Sequence, residues 1–357
     1  MNYKDLTPAE AFDLARAARV SGRRVTAIGG GTGLSTLLLG LKEYTDNITA
    51  VVTVTDDGGG SGVIRQEFGM LPPGDIRNCI LSLANTSTTM SQLLNYRFTE
   101  GTLKGQSFGN LFLLALRGIC GSFEGAVERM NQFLAVTGKV LPVTNHDVAL
   151  RALFEDGSAV QGETAITAAK KQNGLRIERV TLEPEGPMAL PSVIDAIEQA
   201  DLILLGPGSL YTSVIPNLLV DGVSAAIRRS RALRIYVLNI MTQEGETEGY
   251  TAAQHVQEIN QHAGGRVVDI CLYNTQPAHP RMIEKYRAEN CAQLFPNPAQ
   301  FQKMGVGLFG GQMLALGSEY ARHDPLRLAY TIMQAAHQHA RRPGVLGEYD
   351  SFLLRQE

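Results

Sequence analysis

The sequence predicts an α/β fold: a doubly wound, mainly parallel sheet with helices on both faces and a small β-rich insertion. Two observations support this prediction. Apolar strands alternate with amphipathic helices through most of the 357 residues, which is the pattern of successive βαβ units. Several strands also end in glycine- and hydroxyl-rich turns, and doubly wound sheets bind ligands beyond the carboxyl ends of their strands.

The first βαβ unit occupies residues 25–62. An apolar strand at 25–28 runs into a first glycine loop at 29–33, and a helix with regularly spaced leucines follows. The second strand, 48–55, is β-branched and almost wholly apolar, which is typical of a strand buried on both faces. It ends in a second glycine loop at 56–62, so two ligand-binding turns are expected at one edge of the sheet.

The alternation continues along the chain with one interruption. A hairpin over 148–164 and a strand at 176–182 predict a β-rich lobe at about 140–182. Elsewhere we predict helices over 75–85, 110–119, 123–136, 193–199, 216–229, 251–262, 280–290 and 326–339, and strands over 201–205, 234–240 and 267–273.

Residues 23–340 are predicted to form a single domain, because no repeat and no low-complexity linker divides them. A capping box with Pro at the first helical position, Thr7-Pro8-Ala9-Glu10, predicts an N-terminal helix within residues 1–22. Residues 341–357 are expected to form a looser C-terminal tail.

The composition excludes several classes of protein. The 32 Lys and Arg residues are balanced by 35 Asp and Glu residues, which argues against a protein that coats nucleic acid or anionic lipid. No apolar stretch approaches the ~20 residues of a membrane span, so no membrane insertion is predicted. The four cysteines form no CxxC pair, which is typical of buried thiols in a reducing compartment. We therefore expect a cytoplasmic protein without a nucleic-acid partner.

The first glycine loop is a candidate phosphate site. Gly30, Gly31, Thr32 and Gly33 leave backbone N–H groups open in front of a helix N-terminus. The dinucleotide fingerprint GxGxxG does not fit, because Thr36 stands where the third glycine belongs. No Gly-Lys-Ser/Thr sequence follows either, so the loop is not a P-loop. The alternative is a tight strand–helix turn without a ligand.

The second glycine loop places two carboxylates beside a glycine-rich turn. Such acids either hold Mg²⁺ against phosphates or accept hydroxyl groups of a sugar, and the alternative is a helix cap. An arginine just beyond the loop suits an anionic group. The candidate ligand residues are Asp56, Asp57, Gly58, Gly59, Ser61 and Arg65.

Four further turns offer polar groups. In the turn 72–78, Asp75 is predicted to cap the helix that follows. The helix start at 107–110 supplies side chains that are either helix caps or anion donors, and the turns 206–213 and 239–247 each follow an apolar strand. The candidate ligand residues of these turns are Arg77, Asn78, Ser107, Asn110, Gly206, Gly208, Ser209, Thr212, Asn239 and Thr242.

Familiar catalytic patterns are missing from the sequence. It contains no GxSxG elbow, no HExxH motif and no evident nucleophile paired with a base, and its seven histidines show no metal-ligand spacing. No catalytic residue is therefore assigned. The loops describe a pocket for a phosphorylated, hydroxyl-rich ligand better than they describe a reaction.

Six motifs occur in a distinctive order along the chain. They are Gly-Gly-Gly-Thr-Gly-Leu-Ser, Val-Thr-Asp-Asp-Gly-Gly, Pro-Pro-Gly-Asp-Ile-Arg-Asn, Ser-Phe-Gly-Asn, Gly-Pro-Gly-Ser-Leu-Tyr-Thr and Met-Thr-Gln-x-Gly-Glu-Thr. In this order they resemble the gluconeogenesis factor family (YvcK-like), which shares the fold of 2-phospho-L-lactate transferase (CofD). The resemblance runs from about residue 24 to residue 340. Gly60 departs from the serine expected there and is predicted to loosen the second loop slightly.

The resemblance implies a Rossmann-like sheet, a homodimer, and a role in cell shape and in carbon partitioning during gluconeogenic growth. It also implies a bound UDP-sugar, UDP-N-acetylglucosamine in particular, with no cofactor required and no established catalytic activity. Tyr286 and Arg322 resemble positions tied to nucleotide-sugar binding. An aromatic ring can stack on uracil and an arginine can clamp a diphosphate, although helix packing also accounts for Tyr286.

Two other hypotheses stay open. In the transferase relatives the corresponding crevice holds a guanine-nucleotide-linked substrate and Mg²⁺. Asp56 and Asp57 would then be metal ligands in a phospholactyl-type transferase that acts on a nucleotide-activated donor. A weaker alternative is an NAD(P)-binding protein, against which the missing third glycine counts.

Overall fold

Seven parallel strands form the central sheet of the computed structural model, which describes residues 19–339. The strands are β1 (Val25–Gly29), β2 (Ile48–Val52), β3 (Lys139–Pro142), β7 (Leu202–Leu205), β8 (Leu233–Val237), β9 (Ile270–Asn274) and β10 (Gly307–Gly311). Their order is β10-β9-β8-β7-β1-β2-β3. The chain therefore leaves β1 on one side and returns on the other, so the strand order reverses between β1 and β7. Doubly wound sheets form their ligand crevices at this position, and the predicted fold class is confirmed.

Helices surround the sheet and bury it. In the first helix Leu34, Leu37, Leu38 and Leu41 are all buried, which is the stripe that the leucine spacing predicts. The helices are α1 (Gly31–Leu41), α2 (Gly59–Phe68), α3 (Gly74–Leu83), α4 (Thr88–Asn95), α5 (Phe108–Cys120), α6 (Phe123–Phe133), α7 (Glu163–Asn173), α8 (Pro191–Gln199), α9 (Ile215–Leu218), α10 (Val223–Arg229), α11 (Ala252–His262), α12 (Pro280–Ala288), α13 (Pro298–Met304) and α14 (Pro325–Gln338). A short π-helical turn, Leu210–Val214, precedes α9.

A small antiparallel sheet stands beside the main one. It contains β4 (Ala149–Phe154), β5 (Ala159–Gln161) and β6 (Ile177–Glu183), in the order β5-β4-β6. The predicted hairpin and third strand are present. Two expectations for the region 140–182 are wrong, however. Strand β3 belongs to the main sheet, where it pairs with β2. Helix α7 fills residues 163–173, where its Ala-, Thr- and Lys-rich sequence lacks a clear apolar stripe.

Other differences concern ends and weak patterns. Strand β2 stops at Val52 instead of residue 55, and residues 59–62 of the second glycine loop already form the first turn of α2. Strand β10, Gly-Leu-Phe-Gly-Gly, escapes prediction because three of its five residues are glycine, which is unfavourable in strands. The predicted N-terminal helix (1–22) and tail (341–357) lie largely or wholly outside the described residues.

Within residues 19–339 no single helix is long and apolar enough to cross a membrane. Helices α5 and α6 together pass that test of length and composition, but they are bent by 115° at the break between them.

Candidate functional site

Three of the predicted loops meet in a cleft of about 320 Å³. They follow β1, β7 and β8, and α12 and the segment after β10 close the other side. This volume lies at the lower end of the range for small-molecule sites. The predicted residues that line the cleft are Gly30, Gly31, Thr32, Gly33, Gly208, Ser209, Asn239, Tyr286 and Arg322. Sequence analysis missed Gln243 and His323, which also line it.

Close packing explains why the first loop is made of glycine. A Cβ atom at Gly33 would lie 2.4 Å from the carbonyl oxygen of Pro207, in the loop after β7. A Cβ atom at Gly30 would lie 2.7 Å from the Thr53 side chain and 2.8 Å from Asp75 Oδ2. Gly31 has φ +65°, which side chains disfavour. The glycines therefore let the loops after β1 and β7 approach each other.

Asp75 has a different role from the one predicted. Helix α3 has Pro73 at its N-cap and no side-chain cap. The Asp75 carboxylate instead accepts a hydrogen bond of 2.6 Å from the Gly31 N–H. Burial raises the pKa of Asp75 to about 6, with the Gly31 hydrogen bond lowering it and the Asp56 carboxylate raising it. One amide of the first glycine loop is thus bound to an acid at the edge of the cleft.

The loops after β7 and β8 are joined by side-chain hydrogen bonds. Asn239 Nδ2 donates to the Gly208 carbonyl at 2.9 Å, and the Gly208 N–H donates to Asn239 Oδ1 at 3.3 Å. Ser209 Oγ donates to Gln243 Oε1 at 2.8 Å. These three hydrogen bonds connect the loop after β7 to the loop after β8 and so fix one wall of the cleft.

Three predicted residues of these loops do not line the cleft. Gly206 supports the turn with φ +73°. Thr212 is buried and donates to the Glu246 carboxylate at 2.8 Å. Thr242 is also buried and accepts from the Ala292 N–H at 2.8 Å. The hydroxyl groups of Thr212 and Thr242 are thus bound within the protein and hold the surrounding loops in place.

Tyr286 and Arg322 approach the cleft from the opposite side. Tyr286, on α12, accepts a hydrogen bond of 3.2 Å from the Ala321 N–H through its hydroxyl group. This bond ties α12 to the segment that carries Arg322, whose side chain is exposed. A small core of four buried residues, separate from the main core, packs against Tyr286 and Ala321; its members are Ile240, Met241, Ala278 and Leu314. The tertiary structure thus brings together two residues 36 positions apart in sequence.

The second glycine loop lies next to the cleft and contributes no residue to its lining. Asp56 Oδ1 accepts from the Gly58 N–H at 2.9 Å, and Ser61 is buried and accepts from the Gly74 N–H at 3.1 Å. Asp57 Oδ1 turns away to the Thr164 N–H and hydroxyl group, at 3.0 and 2.7 Å.

Backbone conformation and close packing explain why the first two residues of α2 are glycine. Gly59 has φ +49°, a conformation that favours glycine. A Cβ atom at Gly60 would lie 2.9 Å from Gln106 Oε1 and 3.3 Å from the Gly105 carbonyl oxygen. Gly60 therefore allows the loop before α5 to approach closely.

Glu163 joins the acids of the second loop, and sequence analysis missed it. It is the first residue of α7 and carries a partly buried carboxyl group. Burial raises its pKa to about 9, and the carboxylates of Asp56, Glu246, Asp75 and Asp57 raise it in that order. In the sequence, the one feature that could have pointed to Glu163 is its position directly after Gly162, because acids are common in the first turn of a helix. At neutral pH this acid is protonated.

The remaining predicted residues stabilise the surrounding structure. Arg65 donates to the Val148 carbonyl at 2.8 Å and pairs with Asp147 at 2.7 Å, so it holds the small sheet. Arg77 is buried and donates to the side chains of Ser107 and Asn78.

Ser107 and Asn110 lie at the start of α5. Ser107 is the N-cap and accepts from the Asn110 N–H at 3.3 Å. Asn110 is buried, and its Oδ1 has no hydrogen-bond partner. None of the residues Arg65, Arg77, Asn78, Ser107 and Asn110 lines the cleft.

The cleft has the chemistry of a binding site. The N-terminus of α1 offers backbone N–H groups, Arg322 offers a cation, and Tyr286 offers an aromatic ring beside them. In residues 19–339, no group of three or more His, Cys, Asp or Glu side chains is placed to hold a metal ion by itself.

Comparisons with known proteins agree with this architecture. The family model described as 2-phospho-L-lactate transferase CofD matches residues 25–314. The chain is 50% identical to a protein of Thermoanaerobacterium thermosulfurigenes over 316 residues, which cover 88% of this chain and 98% of that one. It is 43% identical to the gluconeogenesis factor of Bacillus subtilis over 307 residues, 86% of this chain and 96% of that one. A crystal structure of a Bacillus halodurans protein matches with a TM-score of 0.84 and 41% identity, over 87% of this chain and 99% of that chain. The chain therefore belongs to the CofD family and is similar, over most of its length, to the gluconeogenesis factors within it.

Proposed function

We propose that the protein binds a nucleotide-sugar of the UDP-N-acetylglucosamine type and acts as a regulator in carbon metabolism. The convergence of Tyr286 and Arg322 with the N-terminus of α1 in one cleft supports this proposal most directly. A nucleotide-sugar presents an aromatic base, an anionic diphosphate and a hydroxyl-rich sugar. Tyr286 matches the base, and Arg322 together with the N-terminus of α1 matches the diphosphate.

The diphosphate is the part of the ligand that most needs a charge of opposite sign in the cleft. Its charge is opposed by the exposed Arg322 side chain and by the positive end of the α1 dipole. The base would stack on Tyr286, whose hydroxyl group is already held by the Ala321 N–H. The walls formed by Thr32, Ser209 and Gln243 leave polar groups for sugar hydroxyls.

The regulatory role rests on the names of the relatives. Relatives at 43% and 41% identity, from Bacillus subtilis and Halalkalibacterium halodurans, are named gluconeogenesis factors. We extend a role in carbon partitioning to this chain, and with it the role in cell shape that the resemblance implies. Binding without turnover suits a regulator, because the bound state can then report the ligand concentration.

Titration calorimetry with UDP-N-acetylglucosamine, UDP-glucose and NAD tests the proposal. Wild-type protein is expected to bind the UDP-sugars and not NAD. Substitutions Tyr286→Ala and Arg322→Ala are each expected to lower affinity at least tenfold, which corresponds to about 1.4 kcal/mol.

Arg287→Ala is the matched control, because Arg287 is exposed on the same helix and does not line the cleft. Its affinity should equal that of the wild type. Equal affinities in all three variants, or no binding of UDP-sugars by the wild type, would refute the proposal.

A second candidate is the Mg²⁺-dependent transferase. The acids Asp56 and Asp57 beside the cleft favour it, since Mg²⁺ is often held by one or two carboxylates together with substrate phosphates. Asp56 is the ligand that fits best, because Asp57 is engaged by Thr164. Mg²⁺ would neutralise a leaving nucleotide there. Incubation with a deazaflavin acceptor and a nucleotide-activated phospholactyl donor tests it, and the absence of a Mg²⁺-dependent product would exclude this candidate.

A further inference from the structure

One side chain of the cleft carries a buried polar atom without a partner. His323 lines the cleft and is only 9% exposed. Its Nε2 atom is shielded from solvent and has no hydrogen-bond partner among residues 19–339. Native proteins rarely leave a buried polar atom in this state, because the atom has lost its hydrogen bonds to water and gained none in return. His323 therefore points to a partner that the described chain does not supply.

Other polar groups of the cleft wall are bound within the protein. The Asn239 side chain both donates to the Gly208 carbonyl group and accepts from the Gly208 N–H. Ser209 donates to Gln243. These side chains hold the wall together, whereas the Nε2 atom of His323 makes no such bond. A ligand in the cleft is thus the natural partner of the His323 ring.

The charge of His323 indicates which part of a ligand it suits. Burial lowers the pKa of His323 to about 4, so the ring is neutral at neutral pH. A neutral imidazole has one N–H donor and one nitrogen that accepts, and it has no charge to offer a diphosphate. Arg322 and the N-terminus of α1 already provide for the anionic group. An uncharged polar edge fits the ring better.

The backbone places His323 on the same side of the cleft as Tyr286. Leu314 and His323 face each other in an isolated antiparallel bridge. Backbone hydrogen bonds of 2.8 and 2.7 Å lie on either side of this pair, so it is the non-hydrogen-bonded kind, in which the two side chains come closest. Leu314 belongs to the small core against which Tyr286 packs. The His323 ring is therefore next to the core that supports the predicted stacking surface for the base.

We propose that His323 recognises the base of the ligand by a hydrogen bond to the polar edge of the pyrimidine ring that stacks on Tyr286. This inference rests on the proposed function, because it assigns a residue to the base of the same ligand. Uracil presents a ring N–H between two carbonyl groups, and a neutral imidazole can accept from the one or donate to the others. Stacking on Tyr286 tolerates any base, whereas a hydrogen bond depends on the groups at the edge of the base.

Calorimetry with three probes separates the base from the rest of the ligand. UDP-N-acetylglucosamine carries the sugar, the diphosphate and the base, UDP lacks the sugar, and inorganic pyrophosphate lacks the sugar and the base. His323→Phe keeps an aromatic ring and removes both nitrogens. It should lower affinity for both uridine ligands about tenfold, because the base edge then faces an apolar ring, and should leave pyrophosphate affinity unchanged. His323→Gln places an amide near the position of Nε2 and should restore most of the affinity for the uridine ligands.

His146→Phe is the matched control, because His146 is exposed and does not line the cleft. It should bind all three probes as the wild type does. Pyrophosphate binding by His323→Phe also reports that α1 and Arg322 remain in place, so a loss of folding cannot be mistaken for a loss of base recognition.

Three results would overturn the inference while leaving the proposed function intact. The first is equal affinity of wild type and His323→Phe for UDP-N-acetylglucosamine and UDP. The second is an equal loss for all three probes, because His323 would then support the cleft as a whole. The third is a loss for UDP-N-acetylglucosamine but not for UDP, which would place His323 at the sugar. A wild type that binds neither uridine ligand would refute the proposed function itself.

Discussion

Glu163→Gln should stabilise the protein in a pH-dependent manner. The Glu163 carboxyl group has a pKa of about 9 in the folded chain, against 4.5 as the ordinary value. As pH rises above 4.5 the unfolded chain loses this proton while the folded chain keeps it, so wild-type stability falls. Each pH unit costs about 1.4 kcal/mol. Over the 2.5 units between pH 4.5 and pH 7 the penalty is therefore at most about 3.4 kcal/mol. The realised value is smaller, because rearrangement and water penetration around the four neighbouring acids reduce their repulsion.

Urea unfolding at pH 4.5, 6, 7 and 8 measures this effect. The stability gain of Glu163→Gln should be close to zero at pH 4.5 and should grow to about 1–3 kcal/mol at pH 7. Glu185→Gln, at an exposed glutamate, is the control and should show no pH-dependent difference. A constant difference between Glu163→Gln and wild type across the series would refute the reasoning, since it would show that the folded state does not hold the Glu163 proton.

Three further predictions concern the cleft and its support. Gly33→Ala places a Cβ atom 2.4 Å from the Pro207 carbonyl oxygen and should cost about 1–3 kcal/mol of unfolding free energy. Gly307→Ala, where the nearest atom would lie 3.6 Å from the new Cβ, should cost less, and equal losses in urea unfolding would contradict the steric argument. Asp75 has a pKa of about 6 and bonds to the glycine loop, so it gains a negative charge beside the diphosphate as pH rises from 5 to 7.5, and UDP-sugar affinity should fall. In Asp75→Asn the affinity should not depend on pH over this range. Equally steep pH profiles of the two proteins in calorimetry would show that Asp75 does not face the diphosphate. Arg234→Ala removes the two-pronged ion pair from the buried Asp269, which keeps a longer contact of 3.7 Å to Arg266, and should cost about 2–3 kcal/mol of unfolding free energy. Arg229→Ala breaks an exposed pair and should cost under about 1 kcal/mol, so thermal unfolding that ranks the two the other way would argue against the burial effect.

Elements with local signals could be predicted from the amino-acid sequence alone. Strands such as β1 and β7 are continuous apolar runs, and α1 carries a leucine stripe, so hydrophobic periodicity was sufficient to predict them. The glycine loops were also readable, because a strand that must turn directly into a helix at a crowded edge needs residues without Cβ. Strand β10 and helix α7 were missed because glycine in one and small polar residues in the other erase the periodic pattern.

Packing between distant elements determines which of the polar groups line the cleft and which are bound within the protein. Arg65 and Thr212 looked like ligand residues, yet their hydrogen bonds go to Val148 and Glu246, each more than thirty residues away in sequence. Asp75 looked like a helix cap but bonds to Gly31. A side chain's type fixes which bonds it can make, but the choice of partner depends on packing between distant elements. For that reason the sequence specified the loops, and the three-dimensional structure decided which of them form the cleft.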